Sequence, residues 1–357
     1  MTIQKIHIHP YVQSLPETLR NARKRPLKKE MLIVSVELSS GVKGHGECWT
    51  AGIGFEAIAH TIQSDLSSDL KHLPPAEARK YLRNCLSEAI KNDDESLAAA
   101  VSGLDCACWD AEANAAGIPL YELLGGKHRE IYCYASGGLY DDKKGIRDLE
   151  AEVCRHTDQK FDAVKIKVAG LPLEEDVARV QATRKAIGPD VKLMVDANTV
   201  YSATEAQAFA KAIDDQDIYW FEEPCPETEL AELRTNCNLP ICGYERAVGQ
   251  KQFGELIEPG HLDFVQIDLS ICGGITEAID IVKIAGSLPV TLHGASSVVL
   301  FMANLQFAAA FRQIESIEYH KIHQWPVEGI RAPDIGTSPG LVVPSREAGI
   351  GVALPTT

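Results

Sequence analysis

The chain has 357 residues, 45% of them hydrophobic, and a formal net charge of −15. That length can bury the core of one barrel of about 250 residues together with a second, smaller unit. The negative charge opposes binding to nucleic acid or to an anionic membrane and is compatible with holding a divalent cation.

No apolar run reaches the ~18 residues of a membrane span, and no basic start precedes an apolar stretch, so a cytoplasmic protein is expected. The ten cysteines are scattered without framework spacing and lie mostly in apolar runs, which reads as reduced, buried small hydrophobes.

In chain order, residues 1–126 open with two strand-like stretches, IQKIHIHPYV and MLIVSVELSSGVKGHGECW, the second broken by a Ser-Gly turn. Residues 54–68, 75–91 and 95–115 then carry apolar residues at helical spacing, and Gly117-Ile118-Pro119 stops the last of these helices. Strands followed by helices, rather than alternating with them, predict a separate α+β domain. Residues 127–325 alternate instead. IYCYAS, AVKIK, KLMVD, IYWFE, FVQID and PVTLH read as buried parallel strands, separated by amphipathic segments such as EEDVARVQATRKAIG and SATEAQAFAKAID. Residues 326–357 are rich in Pro and Gly and are expected to wrap back onto the barrel or the first domain.

Seven charged residues end the barrel's strand-like runs: Lys167, Asp196, Glu222, Glu245, Asp268, His293 and Glu318, each 23 to 29 residues after the one before. That interval matches a βα unit, and the carboxyl ends of barrel strands open onto one face, so the seven should converge.

A single strand-end carboxylate commonly pairs with a rim Lys or Arg. Three in succession, Asp196, Glu222 and Glu245, would repel one another in a partly dry cleft unless a cation neutralised them, and an all-oxygen set favours Mg²⁺. Glu223 is expected to support this set or to form an ion pair.

Lys165 and Lys167 alternate on one strand and so face the same side. Two like charges this close should lower each other's pKa, making one usable as a base and leaving the other to hold a substrate anion. Asp268 and His293 are predicted to form an acid/base dyad on the opposite side of the barrel. Glu318 would close the ring, as a proton donor to a substrate carboxylate or as a buried partner of the lysines.

The motifs K-I-K (165–167), V-D-A-N (195–198), F-E-E-P (221–224), G-Y-E (243–245), Q-I-D (266–268), L-H-G (292–294) and I-E (317–318) resemble the mandelate racemase subgroup of the enolase superfamily. G-H-G-E-C (44–48) and the stretch 104–125 resemble that family's capping domain. The resemblance covers nearly the whole chain. It implies an α/β fold, a modified (β/α)₇β barrel lidded by the amino-terminal α+β domain and completed by the carboxyl-terminal segment. Tyr244 departs from the pattern by placing a bulky residue before the third expected ligand.

The resemblance further implies Mg²⁺-dependent removal of the proton α to a carboxylate. Lys165 would bind the carboxylate and Lys167 would act as base on one face. His293, oriented by Asp268, would serve the other face as base or as the acid that protonates a departing β-hydroxyl. Asn198 and Glu318 would orient or protonate the intermediate, and Ser136 is expected near the substrate or its ligands.

Most members with this constellation dehydrate acid sugars, and a cycloisomerase or racemase could use the same residues. A barrel that has lost activity and acts as a binding protein is the reading from another class. A small-molecule carboxylate is the expected partner, and the resemblance implies a homo-oligomer with no identified interface. Substrate choice is expected to lie in residues 14–29 and 48–56. The first of these loops is basic, and Arg20 and Arg25 either attract an anionic substrate or belong to a solvated surface.

Overall fold

The computed structural model describes residues 1–15, 18–24, 29–324, 326–334 and 340–355. The amino-terminal strands β1 (Ile3–Gln13), β2 (Lys29–Leu38) and β3 (Lys43–Cys48) form an antiparallel meander in the order β1-β2-β3. The 54–68 segment is helical but interrupted, with a π-helical turn at Ile62–Leu66 between Phe55–Thr61 and Ser67–Leu70. Helices Pro75–Asn92 and Glu95–Ala116 follow. The second starts where Asp94 Oδ1 accepts the Leu97 N–H at 3.0 Å and ends at Gly117, whose φ of 70° suits a residue without a Cβ.

The two glycines of G-H-G-E-C explain how this domain closes. A Cβ on Gly46 would overlap the Gly103 carbonyl, and one on Gly44 would overlap the backbone at Ala107 and Ala111. β3 therefore lies directly on the backbone of helix Glu95–Ala116, whose facing residues are themselves small.

The barrel strands are β4 (Ile131–Gly137), β5 (Ala163–Lys167), β6 (Lys192–Asp196), β7 (Ile218–Glu222), β8 (Ile241–Gly243), β9 (Phe264–Ile267), β10 (Val290–Leu292) and β11 (Ile314–His320). All eight run parallel, and β11 pairs with β4 to close the ring. Seven helices connect them, from Ile146–Asp158 to Val298–Ala310, which gives (β/α)₇β. Tyr134, Met194, Trp220, Cys242 and Phe264 fill the interior below the site.

The carboxyl-terminal residues touch both units. β12 (Leu341–Val342) pairs antiparallel with β4, while the Ile350 N–H donates to Asp110 Oδ1 at 2.7 Å on the long capping helix. All ten cysteines are free thiols, eight of them buried. No helix among the described residues is long and apolar enough to cross a membrane.

Candidate active site

Strand register builds the site. Lys167 pairs with Asp196 across β5 and β6, and Asp196 with Glu222 across β6 and β7, so three of the expected residues stand side by side at the strand ends. Glu245 lies two residues beyond β8. Asp268 and His293 follow β9 and β10 by one, and Glu318 sits two residues before the end of β11. All seven side chains are buried.

The lysines and carboxylates form one charge network. Lys165 Nζ donates to Glu222 Oε1 and lies 3.2 Å from Glu318 Oε1 and 3.8 Å from Asp196 Oδ2. Lys167 Nζ donates to Asp196 Oδ2. Lys165 does lower Lys167, as expected, but the expected net lowering is overturned. Burial does pull each down, but for Lys165 the charges of Glu222 and Glu318, and for Lys167 that of Asp196, outweigh burial and raise both above the ordinary value. Cross-strand carboxylates at ion-pair distance dominate the like charge two residues away.

The three expected ligands are not gathered around one point. Asp196 and Glu222 are held by the lysines, and among the described residues no three His, Cys, Asp or Glu side chains stand in the arrangement of a metal site. Their chemistry nevertheless fits a hard cation. Glu223 Oε2, Glu245 Oε2 and Asn198 Oδ1 are buried oxygens with no hydrogen-bond partner, a costly condition that an oxygen-seeking ion relieves. Burial and the adjoining Glu245 carboxylate push Glu223 well up, while His293 and Glu223 bring Glu245 down despite its burial.

On the far side, His293 Nδ1 and Asp268 Oδ2 are 2.6 Å apart. Asp268 Oδ1 also accepts from the Ser270 N–H at 2.7 Å and its hydroxyl at 2.6 Å. His293 Nε2 lies 3.6 Å from Glu318 Oε2. Burial would lower the imidazole pKa, but Glu318, Asp268 and Glu245 raise it to about 9, so it is protonated at neutral pH.

A cavity of about 320 Å³ opens over this centre, with Lys167, Asn198, Glu223, Glu245 and His293 in its wall. Both loops expected to govern substrate choice reach it, the first through Asn21 and Arg23 and the second through Trp49 to Gly52 and Gly54. Lys165, Asp268 and Glu318 lie behind this surface.

Arg20 and Tyr244 are placed differently from expectation. Arg20 turns away and donates from Nη1 to Asp142 Oδ2 at 2.8 Å. Arg25 lies outside the described residues. Ser136 is fully buried beside Lys165 in the strand register and does not line the cavity. Tyr244 adds no bulk to the site, because its hydroxyl donates to the Cys225 carbonyl at 2.7 Å.

Sequence reasoning missed Arg246, Glu47 and His320. Arg246 lines the cavity immediately after Glu245. Buried Glu47 of G-H-G-E-C accepts hydroxyl hydrogen bonds from Ser296 and Ser297 and so ties the cap to the loop after His293. His320 lines the cavity two residues beyond Glu318, and its Nδ1 accepts the Ile322 N–H at 3.2 Å. Burial lowers its pKa to about 3, which keeps the ring neutral. Arg246 and His320 had a signal in their place beside residues already expected at strand ends, and Glu47 in the G-H-G-E-C motif.

Comparison with known proteins gives a consistent family. Residues 148–356 match the enolase C-terminal domain-like family, and residues 7–125 match the mandelate racemase / muconate lactonizing enzyme N-terminal domain. The chain is 33% identical over 288 residues to an arabinonate dehydratase of Saccharolobus solfataricus, covering 79% of this chain and 77% of that protein. It is 30% identical over 339 residues to a D-galactarolactone cycloisomerase of Agrobacterium fabrum, covering 92% and 86%. A crystal structure of a racemase from Streptomyces coelicolor A3(2) with bound magnesium superposes with a TM-score of 0.89 at 26% identity, covering 99% of this chain and 97% of that one.

Proposed function

The chain belongs to the mandelate racemase / muconate lactonizing enzyme family of the enolase superfamily, and from that premise we propose that it is a Mg²⁺-dependent lyase that dehydrates an acid sugar to a 2-keto-3-deoxy acid. The observation that carries the reading is the His293–Asp268 pair, with His293 in the wall of a cavity that Lys167 also lines.

Lys167, which Asp196 holds as an ammonium in the metal-free protein, acts as the free amine when it takes the proton α to the substrate carboxylate. The electron pair left behind spreads onto the carboxylate as an enediolate, whose charge is met by the ammonium groups of the lysine pair. As the enediolate collapses, the β-carbon–oxygen bond breaks and the proton from His293 Nε2 leaves with the hydroxyl as water. The enol product then tautomerises to the 2-keto-3-deoxy acid. Members of the superfamily bind Mg²⁺, and Asp196, Glu222 and Glu245 are the residues that would hold it, where it would offset the carboxylate charge and release Lys167 from Asp196. Asn198 lines the same wall, which supports a role for it in orienting substrate oxygens.

A second reading uses the same residues. If His293 protonated a ring oxygen instead of a free hydroxyl, β-elimination would open an anhydro or lactone ring without loss of water. The likeness to a D-galactarolactone cycloisomerase supports keeping it.

Proton NMR in D₂O with Mg²⁺ and a panel of aldonic and aldaric acids, their lactones and anhydro derivatives separates these outcomes. Loss of the α-proton with deuterium at C3 of a 2-keto-3-deoxy product is the expected result. Ring opening without water loss would favour the cycloisomerase, and exchange or epimerisation at C2 alone a racemase. No change with or without EDTA would overturn the acid-sugar reading.

A further inference from the structure

Glu222 is held from inside the barrel. Residues two apart on a strand share a side, so Trp220 points inward one step below Glu222 on β7, in register with Met194 of β6 and, through it, with Lys165 of β5. Lys165 Nζ donates to Glu222 Oε1, and Trp220 Nε1 donates to Oε2 at 3.1 Å. Both oxygens of the carboxylate are therefore met by donors from the layer beneath it.

The two donors differ in kind. Lys165 is flexible and charged, and it also lies 3.2 Å from Glu318 Oε1, so a cation arriving at Glu222 repels it while another partner stands ready. The indole N–H is neutral and can only donate. Its ring has little freedom, being 1% exposed and packed edge-on against Tyr134 at 5.3 Å between centroids, with Phe264 at 5.1 Å and Tyr219 at 5.4 Å. A buried indole N–H takes some acceptor in any core. Here that acceptor is one of three carboxylates expected to hold a cation, and its neighbour Asp196 is oriented differently, by the Asn198 N–H at 2.8 Å.

We infer that Trp220 is a positioning residue, whose N–H fixes the orientation of the Glu222 carboxylate and so raises the affinity of the site for a divalent cation. The inference rests on Glu222 as a Mg²⁺ ligand in the function proposed above and adds the residue that orients it. The carboxylate is ordered when the barrel core packs rather than when the ion arrives, and hydrogen bonds of this kind are worth about 10- to 100-fold in metal affinity.

Calorimetric titration with MgCl₂ of protein treated with EDTA and then desalted provides the test. Trp220→Phe keeps an aromatic ring in the core and removes the donor, and it should weaken Mg²⁺ binding about 10- to 100-fold. Phe264→Leu loosens the packing around the same indole without touching its N–H, and its Mg²⁺ affinity should stay within about threefold of the unaltered protein. Equal affinity in Trp220→Phe and the unaltered protein, or equal weakening by both substitutions, would overturn the inference. An unaltered protein that binds no Mg²⁺ would overturn it together with the ligand assignment. Should Trp220→Phe fail to fold, the indole N–H signals of protein labelled with ¹⁵N-tryptophan take its place. One signal, other than the one lost in Trp49→Phe, should differ between the metal-free protein and Glu222→Gln and should move when Mg²⁺ is added to the unaltered protein. If none does, the inference fails. Neither measurement involves turnover. Weakened Mg²⁺ binding in Trp220→Phe with no sugar acid dehydrated would sink the reaction assigned above and leave the role of Trp220 standing, and dehydration with unchanged Mg²⁺ affinity would do the reverse.

Discussion

His293 and Asp268 form a buried dyad, with Nδ1 and Oδ2 2.6 Å apart and the carboxylate pinned on its other oxygen by Ser270. The carboxylate fixes the proton on Nδ1 and leaves Nε2, 3.6 Å from Glu318 Oε2, as the nitrogen that exchanges a proton with substrate.

That division of labour predicts separable losses. His293→Asn should lower dehydration by about 10²- to 10⁴-fold, the usual worth of a general acid, while exchange of the α-proton with D₂O continues through Lys167. Lys167→Ala should remove both. Following the α-proton and product signals in the same NMR tube distinguishes the two, and loss of exchange in His293→Asn would show that the base had been misassigned.

Linkage gives His293 a second signature in the metal-free protein. Its folded pKa of about 9 lies above the ordinary 6.5, so the folded state binds this proton more tightly than the unfolded chain does. The resulting stabilisation, on the order of 3 kcal/mol, is complete below pH about 6.5 and is lost as pH rises through about 9. Urea unfolding of the EDTA-treated protein at pH 6, 8 and 10 should show that decline, and His293→Asn should flatten it.

Much of this arrangement is legible in the amino-acid sequence itself. Short apolar runs locate the barrel strands, which are buried on both faces, and the 3.6-residue period locates the long capping helices. The interval between strand-end charges locates Lys167, Asp196, Glu222, Glu245, Asp268, His293 and Glu318 on one face. What stays hidden depends on cross-strand and cross-domain neighbours. Lys165 and Lys167 look like mutually repelling ammoniums in one strand, and only the register with β6 and β7 reveals the carboxylates that raise their pKa instead. Arg20 and Arg23 are three residues apart in one basic loop, yet Asp142 draws the first away while Asn198 and Thr199 fix the second at the cavity.

The fit of the carboxylates to a hard cation predicts a metal-dependent gain in stability. A ligand that binds only the folded state at about 100 times its Kd adds roughly 2.7 kcal/mol. Mg²⁺ should therefore raise the melting temperature of the EDTA-treated protein, and Asp196→Asn and Glu245→Gln should each weaken the concentration dependence of that rise. A melting temperature indifferent to millimolar Mg²⁺ would count against these residues as its ligands.

The Gly46 contact sets the last expectation. A Cβ there meets the Gly103 carbonyl oxygen of helix Glu95–Ala116 first, so a methyl group must move backbone. The next residue along β3, Glu47, holds Ser296 and Ser297 beside the cavity. Gly46→Ala is expected to cost about 3 kcal/mol, the upper range for overpacking, and to lower activity by shifting that anchor. Gly41→Ala is the control, since nothing lies within 4 Å of its added Cβ and only its φ of +82° is strained. Its cost should be the smaller of the two in thermal unfolding, with activity retained. Equal destabilisation by both substitutions would mean that backbone conformation, rather than strand-to-helix contact, is what the glycine at position 46 supplies.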